Sequence, residues 1–302
     1  MLILLIGAGG LAAVAVDRNV GGAGEQFETL VARVERVFAG PPPNRPIQAT
    51  VRVTPRPVVR PSPTATPAPV SLAPGVTAAP TPRATASPVP TPEPARTELD
   101  FDIAANPEAV FKTELHKDWC APAGVQMVLA QLGLVDTSDR AQKEIAARVR
   151  EWESREDSRN GDWGPAAMAL ALEAYGAPGY EIRGFESRDD ALRDAAAAIE
   201  AMDSPVILLA WRGAHTWVMT GFRADADPAI FEDARIKGTY ILDPWYPRMS
   251  SIWGPSDPAG TYQDGAEMRR NFLPWKRPEG GYPDRDGLFI TIVPTLPAPT
   301  AG

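Results

Sequence analysis

Proline is the feature that most constrains this chain. Of its 33 prolines, 17 lie between residues 41 and 94, in stretches such as PSPTATPAPVSLAPGVTAAPTP. Proline fixes φ and lacks a backbone N–H, so a segment this rich in it can form neither a helix nor the interior of a sheet. It also has too few large apolar residues to offset its chain entropy. Residues 41–97 are therefore predicted to be an extended, disordered linker.

The linker separates a short N-terminal part from one globular unit. Residues 98–302 are numerous enough to bury a substantial core, and we expect one α+β domain there. Residues 1–16, MLILLIGAGGLAAVAV, are uncharged and mostly apolar. They favour a transmembrane anchor, with an export signal cleaved near AVA as the alternative. Apolar residues at helical spacing predict a short amphipathic helix over residues 24–39.

The two parts also differ in charge. Residues 1–97 carry nine basic and five acidic side chains, whereas residues 98–302 carry 21 basic and 33 acidic ones, a net charge of −12. An acidic domain without a basic stripe argues against nucleic acid as a partner. We expect the domain to lie at the cell surface or to be secreted, held at the cytoplasmic membrane by the N-terminal segment. The oligomeric state stays open, with a monomeric domain expected.

Cys120 is the only cysteine of the chain and lies in the stretch LHKDWCAPAGVQMVLAQLG. Apolar residues from Val125 to Leu132 recur at i, i+3, i+4 and i+7, which predicts a helix from about Ala121 to Gly133. The thiol then lies at the amino end of a helix, where unpaired N–H groups and the helix dipole favour the nucleophilic thiolate. A buried structural cysteine is the alternative interpretation.

Two strands further along supply a histidine and an aspartate. A capped helix over residues 187–202 and a buried strand over residues 205–211 precede them. HTWVMTGF then predicts a strand that begins at His215, and GTYILDP one that ends at Asp243. If these two strands pair antiparallel, Asp243 comes next to His215 and can orient its ring. A helix bearing Cys120 that packs on this sheet would complete a nucleophile, a base and an orienting group.

These segments, in this order, resemble the papain-like cysteine peptidases, and among them the bacteriocin-processing (double-glycine) peptidases and their secreted bacterial relatives. The matching features are a Trp-Cys pair opening a helix, the run SPVILLAWRGAHTWVMTGF, and YILDPW with its strand-ending Asp-Pro. The resemblance covers roughly residues 111–247. It implies a papain-like fold, with the cysteine helix packed on an antiparallel sheet, and a catalytic triad of Cys120, His215 and Asp243.

One position departs from the family pattern. The family usually has a glutamine six residues before the cysteine, which donates a hydrogen bond to the developing oxyanion, and this chain has Glu114 there. An ionised carboxylate cannot donate and would repel the negative charge. His116 and Lys117 are the candidate substitute donors. With glutamate at this position, an inactive enzyme or one with altered activity is an alternative interpretation.

The resemblance implies a hydrolase: an extracytoplasmic, membrane-tethered cysteine peptidase that cuts a peptide or isopeptide bond. Its substrate would be a peptide or a component of the cell envelope. A transamidase with the same triad is one alternative. A catalytically impaired domain that binds peptides or cell-wall components is the other.

Three further side chains near Cys120 and Asp243 have candidate roles. Trp119 and Trp245 are candidate walls of a substrate cleft, and His116 is a weaker candidate partner for Cys120. A metal site built from the cysteine, the histidines and an acid lacks the paired-ligand spacing of zinc sites. We therefore expect no metal and no cofactor.

Overall fold

The structure, a computed structural model, describes residues 48–54, 94–154, 156–158, 163–276 and 282–298. The predicted anchor, the predicted amphipathic helix and most of the predicted linker lie outside these ranges. Within them, no helix is both long enough and apolar enough to cross a membrane.

Helices and strands alternate irregularly along the described chain. The α-helices with helical φ and ψ throughout are α1 (Pro107–Val110), α2 (Cys120–Gln131), α3 (Asp139–Ala147), α4 (Pro165–Ala174), α5 (Arg188–Met202) and α6 (Gly265–Asn271). Arg148–Glu151 form a 3₁₀ helix after α3, and Ala210–Gly213 form a distorted helical turn after β4. The strands are β1 (Val51–Arg52), β2 (Leu99–Asp102), β3 (Tyr180–Phe185), β4 (Val206–Leu209), β5 (His215–Ala224), β6 (Ile236–Leu242), β7 (Met249–Ser250), β8 (Gly254–Pro255), β9 (Thr261–Asp264) and β10 (Phe289–Pro294).

A twisted, mostly antiparallel sheet forms the centre of the domain. Its strands lie in the order β1–β3–β10–β4–β5–β6–β9, and β2 pairs with the second half of β5. Neighbouring strands run antiparallel except for β1, which pairs with β3 in parallel. Strands β7 and β8 form a separate small hairpin. The mixed α+β architecture expected from the sequence is confirmed.

Both faces of the sheet are covered, and β4 shows why its sequence is a continuous apolar run. Ile207 and Leu209 pack in one core cluster with the buried residues of α2 and α4. Val206 and Leu208 pack in a second cluster with the buried residues of α5. Because successive side chains of a strand point to opposite faces, a strand covered on both sides is apolar at every position.

The predicted helices around these clusters form close to their expected bounds. The helix expected from about Ala121 is α2, which begins one residue earlier, and Gly133 just past its end has φ +71°. That left-handed conformation suits glycine and ends the helix. The helix expected at residues 187–202 is α5, whose capping residue Ser187 accepts a hydrogen bond from the Asp190 N–H.

One short piece of the predicted linker joins the sheet. Val51 and Arg52 form β1 opposite Arg183 and Gly184, and the backbone N–H of Val53 donates to the Gly184 carbonyl at 2.9 Å. The local sequence TVRV is rich in β-branched residues, which suit an edge strand. A short segment of the predicted linker is therefore paired with the edge of the sheet.

Candidate active site

His215 and Asp243 meet where β5 begins and β6 ends. The register of this hairpin places Val218 opposite Leu242. Asp243, which follows Leu242, therefore lies near the start of β5. His215 Nε2 and Asp243 Oδ1 are 2.7 Å apart, and both side chains are buried. The Trp245 N–H also donates to Asp243 Oδ1 at 2.9 Å, which holds the carboxylate in place. The structure thus joins the two residues that the hairpin argument places side by side.

The thiol of Cys120 lies beside the same imidazole. Asp243 occupies Nε2, so Nδ1 is the ring nitrogen that remains for the thiol. Cys120 Sγ lies within 4.8 Å of a His215 ring nitrogen. Close packing of α2 on β5 makes this possible, because a Cβ at Gly124 would lie 2.5 Å from Thr216 Cγ2. Glycine at this position lets the helix approach the strand that carries the histidine.

The surroundings of His215 favour its protonated form. Burial disfavours the charge and by itself lowers the pKa, but the Asp243 carboxylate and Cys120 outweigh burial and raise the pKa of His215 to about 10. An imidazolium next to a thiol stabilises the thiolate. The chemistry available to this group is therefore attack by sulfur, with proton transfer through the imidazole.

Trp211 covers the imidazole from the turn between β4 and β5. Its ring stacks on the His215 ring, with centroids 4.0 Å apart and planes 18° apart. Three successive residues of this turn have positive φ, from 52° at Trp211 to 83° at Gly213. For non-glycine residues this conformation costs of order 1–3 kcal/mol each. The strand expected to reach Trp211 ends instead at Leu209, since the chain turns to place the tryptophan over the histidine.

A cleft of about 570 Å³ opens beside Cys120 and His215, within the range of roughly 300–1,000 Å³ that is usual for ligand sites. Trp245 lines the cleft. Trp119 is not among the lining residues and packs instead against His116, with ring centroids 4.1 Å apart. Further aromatic walls, which the sequence did not single out, are Trp163, Trp211, Trp253, Trp275 and Tyr282.

Glu114 lies buried beside the thiol. A carboxyl oxygen lies within 4.8 Å of Cys120 Sγ and of a His215 ring nitrogen. Oε1 accepts a hydrogen bond from Arg248 Nη1 at 2.8 Å, and buried Oε2 has no hydrogen-bond partner among the described residues. Burial raises the pKa of Glu114 to about 8, although the charges of His215 and Arg248 oppose the shift. This shift favours the protonated carboxyl over the ionised group assumed from the sequence.

The other candidate donors lie elsewhere. Lys117 is exposed and lines the cleft, and buried His116 packs on Trp119. Arg248, which contacts Glu114 directly, was missed by the sequence analysis. Its only signal is its position soon after the YILDPW segment, and the contact joins residues 134 positions apart.

Glu114, Cys120 and His215 also form a possible metal-ligand group within the described part of the chain. A carboxylate, a thiolate and an imidazole are all zinc ligands. Arg248, however, already binds the Glu114 carboxyl, and its positive charge repels a cation placed there. The group therefore fits nucleophilic chemistry better than metal binding.

Comparison with known proteins gives a distant structural likeness. No protein-family model and no curated protein matches the sequence. Among solved structures, the chain is similar to a double-glycine motif protease from an AMS/PCAT transporter, determined in complex with its leader peptide. The TM-score is 0.32 at 16% identity, over 61% of this chain and 91% of that chain. With so low a similarity, function is inferred from the side chains of this chain.

Proposed function

We propose that this protein is a papain-like cysteine peptidase in which Cys120 is the nucleophile, His215 transfers the proton and Asp243 orients the histidine. The observation that carries the proposal is the 2.7 Å contact between His215 Nε2 and Asp243 Oδ1, with Cys120 Sγ near the same ring. One ring nitrogen serves the carboxylate and the other serves the sulfur. Acyl transfer through a thiol requires this division of roles.

The steps follow from these contacts. The Cys120 thiolate attacks a carbonyl carbon, forming an S–C bond and moving the carbonyl electrons to oxygen. The imidazolium of His215 gives its proton to the leaving amine as the C–N bond breaks, which leaves a thioester. Water then attacks the thioester with His215 as the base, and the S–C bond breaks to release the acid. Asp243 keeps the ring in one orientation throughout.

The cleft supports a peptide substrate. Its aromatic walls offer large apolar contact surfaces next to the thiol. The β7–β8 hairpin forms one rim, where Ile252 is 79% exposed and the Trp253 ring stacks on Trp211 with centroids 5.9 Å apart. An apolar rim fits an apolar side chain of an extended peptide better than a strongly charged ligand.

The proposal extends to the N-terminal part of the chain. The apolar residues 1–16 would anchor the protein in the cytoplasmic membrane or direct its export, and the proline-rich linker would hold the domain outside the cell. Fractionation tests this location. The native protein should be recovered with membranes or in the medium, and recovery of the full-length chain in the soluble cytoplasm would contradict the proposal.

Peptide cleavage tests the activity. The full chain and its Cys120→Ala and His215→Ala variants are incubated with a mixture of synthetic peptides, and new termini are identified by mass spectrometry. Cleavage should disappear in both variants. His116→Ala is the matched control because it removes the other histidine of the chain, and it should still cleave. Cleavage by Cys120→Ala would contradict the proposal.

The same assay separates the alternatives, which share the site. A transamidase would join an added amine, such as glycine methyl ester, to the new carboxyl end in place of water. A domain that only binds would retain peptides without producing new termini in any variant.

A further inference from the structure

Glu114 is held in place by contacts of its backbone and of its side chain. The backbone N–H of Glu114 donates to the carbonyl of Pro244, the residue after Asp243, at 2.9 Å. Its Oε1 accepts from Arg248 Nη1 at 2.8 Å. Glu114 as a whole residue is 1% exposed. The carboxyl therefore has little freedom to turn away from the thiol.

The second carboxyl oxygen of Glu114 has an unusual environment. Oε2 is buried and has no hydrogen-bond partner among the described residues. A buried polar atom without a partner costs free energy and calls for an explanation. A protonated carboxyl provides one, since Oε1 then accepts from Arg248 as a carbonyl oxygen while Oε2 carries a proton that is free to donate.

The charges facing Glu114 agree with a neutral carboxyl. They come from His215 on β5, from Asp243 and Arg248 after β6, from Asp118 just before α2, and from Cys120 at the start of α2. With the thiolate and the imidazolium formed, the two negative charges of Cys120 and Asp243 balance the two positive charges of His215 and Arg248. Asp118 is exposed to solvent. An ionised Glu114 would add an uncompensated negative charge in a buried place.

We propose that Glu114 acts as a neutral carboxylic acid that donates a hydrogen bond from Oε2 to the oxygen that becomes negative when Cys120 attacks an acyl carbon. A carboxyl oxygen of Glu114 lies within 4.8 Å of Cys120 Sγ. The proposal requires the oxygen of an acyl carbon bonded to the sulfur to lie between Sγ and Oε2, because an oxyanion donor must lie about 2.7–3.1 Å from that oxygen. Glu114 keeps its proton throughout, and His215 makes the proton transfers. The inference rests on the proposed thiol chemistry.

This role makes catalysis depend on pH in a defined direction. Burial raises the pKa of Glu114 to about 8. As the pH rises through that value, the site loses a hydrogen-bond donor and gains a negative charge beside the oxyanion. Acyl transfer should therefore weaken in the alkaline range, where thiol chemistry otherwise becomes faster as more thiolate forms.

Two reactions of Cys120 distinguish stabilisation of an oxyanion from stabilisation of the thiolate. Acylation by p-nitrophenyl acetate develops a negative oxygen, whereas alkylation by iodoacetamide does not. The ratio of the acylation rate to the alkylation rate is therefore independent of the fraction of Cys120 present as thiolate. Both rates are measured on the full chain between about pH 6 and about pH 9.5, a range that brackets the titration of Glu114.

The ratio should fall by about tenfold or more across this range in the unmodified protein, because the donor is lost. In Glu114→Gln, whose amide can donate but cannot ionise, it should not change with pH. In Glu114→Ala it should be roughly a hundredfold lower than in the unmodified protein near pH 6. In Arg248→Met the fall should move to higher pH, since the arginine charge lowers the pKa of Glu114.

A constant ratio in the unmodified protein, or an unchanged ratio in Glu114→Ala, would overturn the inference while leaving the proposed function in place. Failure of Cys120 to react with either reagent would instead overturn the proposed function, and this inference with it. An infrared difference spectrum of the unmodified protein against Glu114→Gln reads the proton directly. A protonated-carboxyl band should be present near pH 6 and lost by about pH 9.5, and its absence at the lower pH would overturn the inference even if the alanine variant does not fold.

Discussion

Two of the domain's buried carboxyl groups, those of Asp157 and Glu114, each contact an arginine, and they differ in how completely they are bonded. Asp157 accepts from Arg285 Nη2 at 2.8 Å and from two backbone N–H groups at the start of α4, so that both of its oxygens are used. Glu114 accepts from Arg248 through Oε1, while its Oε2 has no partner among the described residues. Both carboxyl oxygens of Asp157 have hydrogen-bond partners within the described residues, whereas only one oxygen of Glu114 does.

The difference separates a structural acid from a candidate catalytic one. Asp157 caps α4 and neutralises Arg285, whose Nε also donates to Thr50 at 3.1 Å, so three distant segments are joined. Glu114 caps no helix, and one of its carboxyl oxygens lies within 4.8 Å of the Cys120 thiol. Burial and an arginine partner are common to both groups. Complete hydrogen bonding distinguishes them.

Removing Asp157 should have the largest effect on stability. Asp157→Ala leaves the Arg285 charge and two N–H groups of α4 buried without partners, so the free energy of unfolding should fall by about 3–5 kcal/mol. Denaturant unfolding measures the loss. The double variant Asp157→Ala/Arg285→Met should recover part of it, because no unpaired charge remains. A loss under about 1 kcal/mol would show that the pair is not structural.

Removing Arg248 should have a smaller effect. The Arg248 side chain is 30% exposed, and a neutral Glu114 needs no counter-charge, so Arg248→Met should cost about 1 kcal/mol at neutral pH. The same unfolding measurement applies. A loss as large as that of Asp157→Ala would indicate that the variant leaves an ionised, uncompensated Glu114 in the interior, and the contrast between the two acids would fail.

The pH dependence of stability should reveal the proton on Glu114. The pKa of this group is raised from 4.5 to about 8 in the folded chain, so between these values the folded state holds a proton that the unfolded state has lost. The contribution of this proton to the stability of the folded state is complete below about pH 4.5 and is lost as the pH rises through about 8.

Relative to Glu114→Gln, the unmodified protein should therefore lose stability with rising pH in this window, by at most about 1.4 kcal/mol per pH unit. Unfolding curves of both proteins at several pH values measure the difference. The glutamine variant is the matched control because it keeps His215 and its titration. Parallel pH profiles would mean that Glu114 titrates normally.

Much of the site could be predicted from the sequence because its parts follow local patterns. The cysteine helix and the two strands are recognisable from their periodicity, and one antiparallel pairing brings His215 to Asp243. Arg248 and the protonation of Glu114 follow no such pattern, since they depend on a contact between distant residues and on burial. Trp211 was expected within a strand, and only the turn with positive φ places its ring on the histidine. The short strand β1 was hidden because proline-rich sequence surrounds it.

The reactivity of Cys120 tests the central claim most directly. Near pH 6, iodoacetamide should alkylate Cys120 faster than it alkylates a free thiol, because the imidazolium of His215 stabilises the thiolate. His215→Ala should remove that excess, and Asp243→Asn should reduce it less, since the imidazole remains but is poorly held. If Cys120 is unreactive at every pH at which the protein stays folded, the cysteine is a buried structural residue and the catalytic account is contradicted.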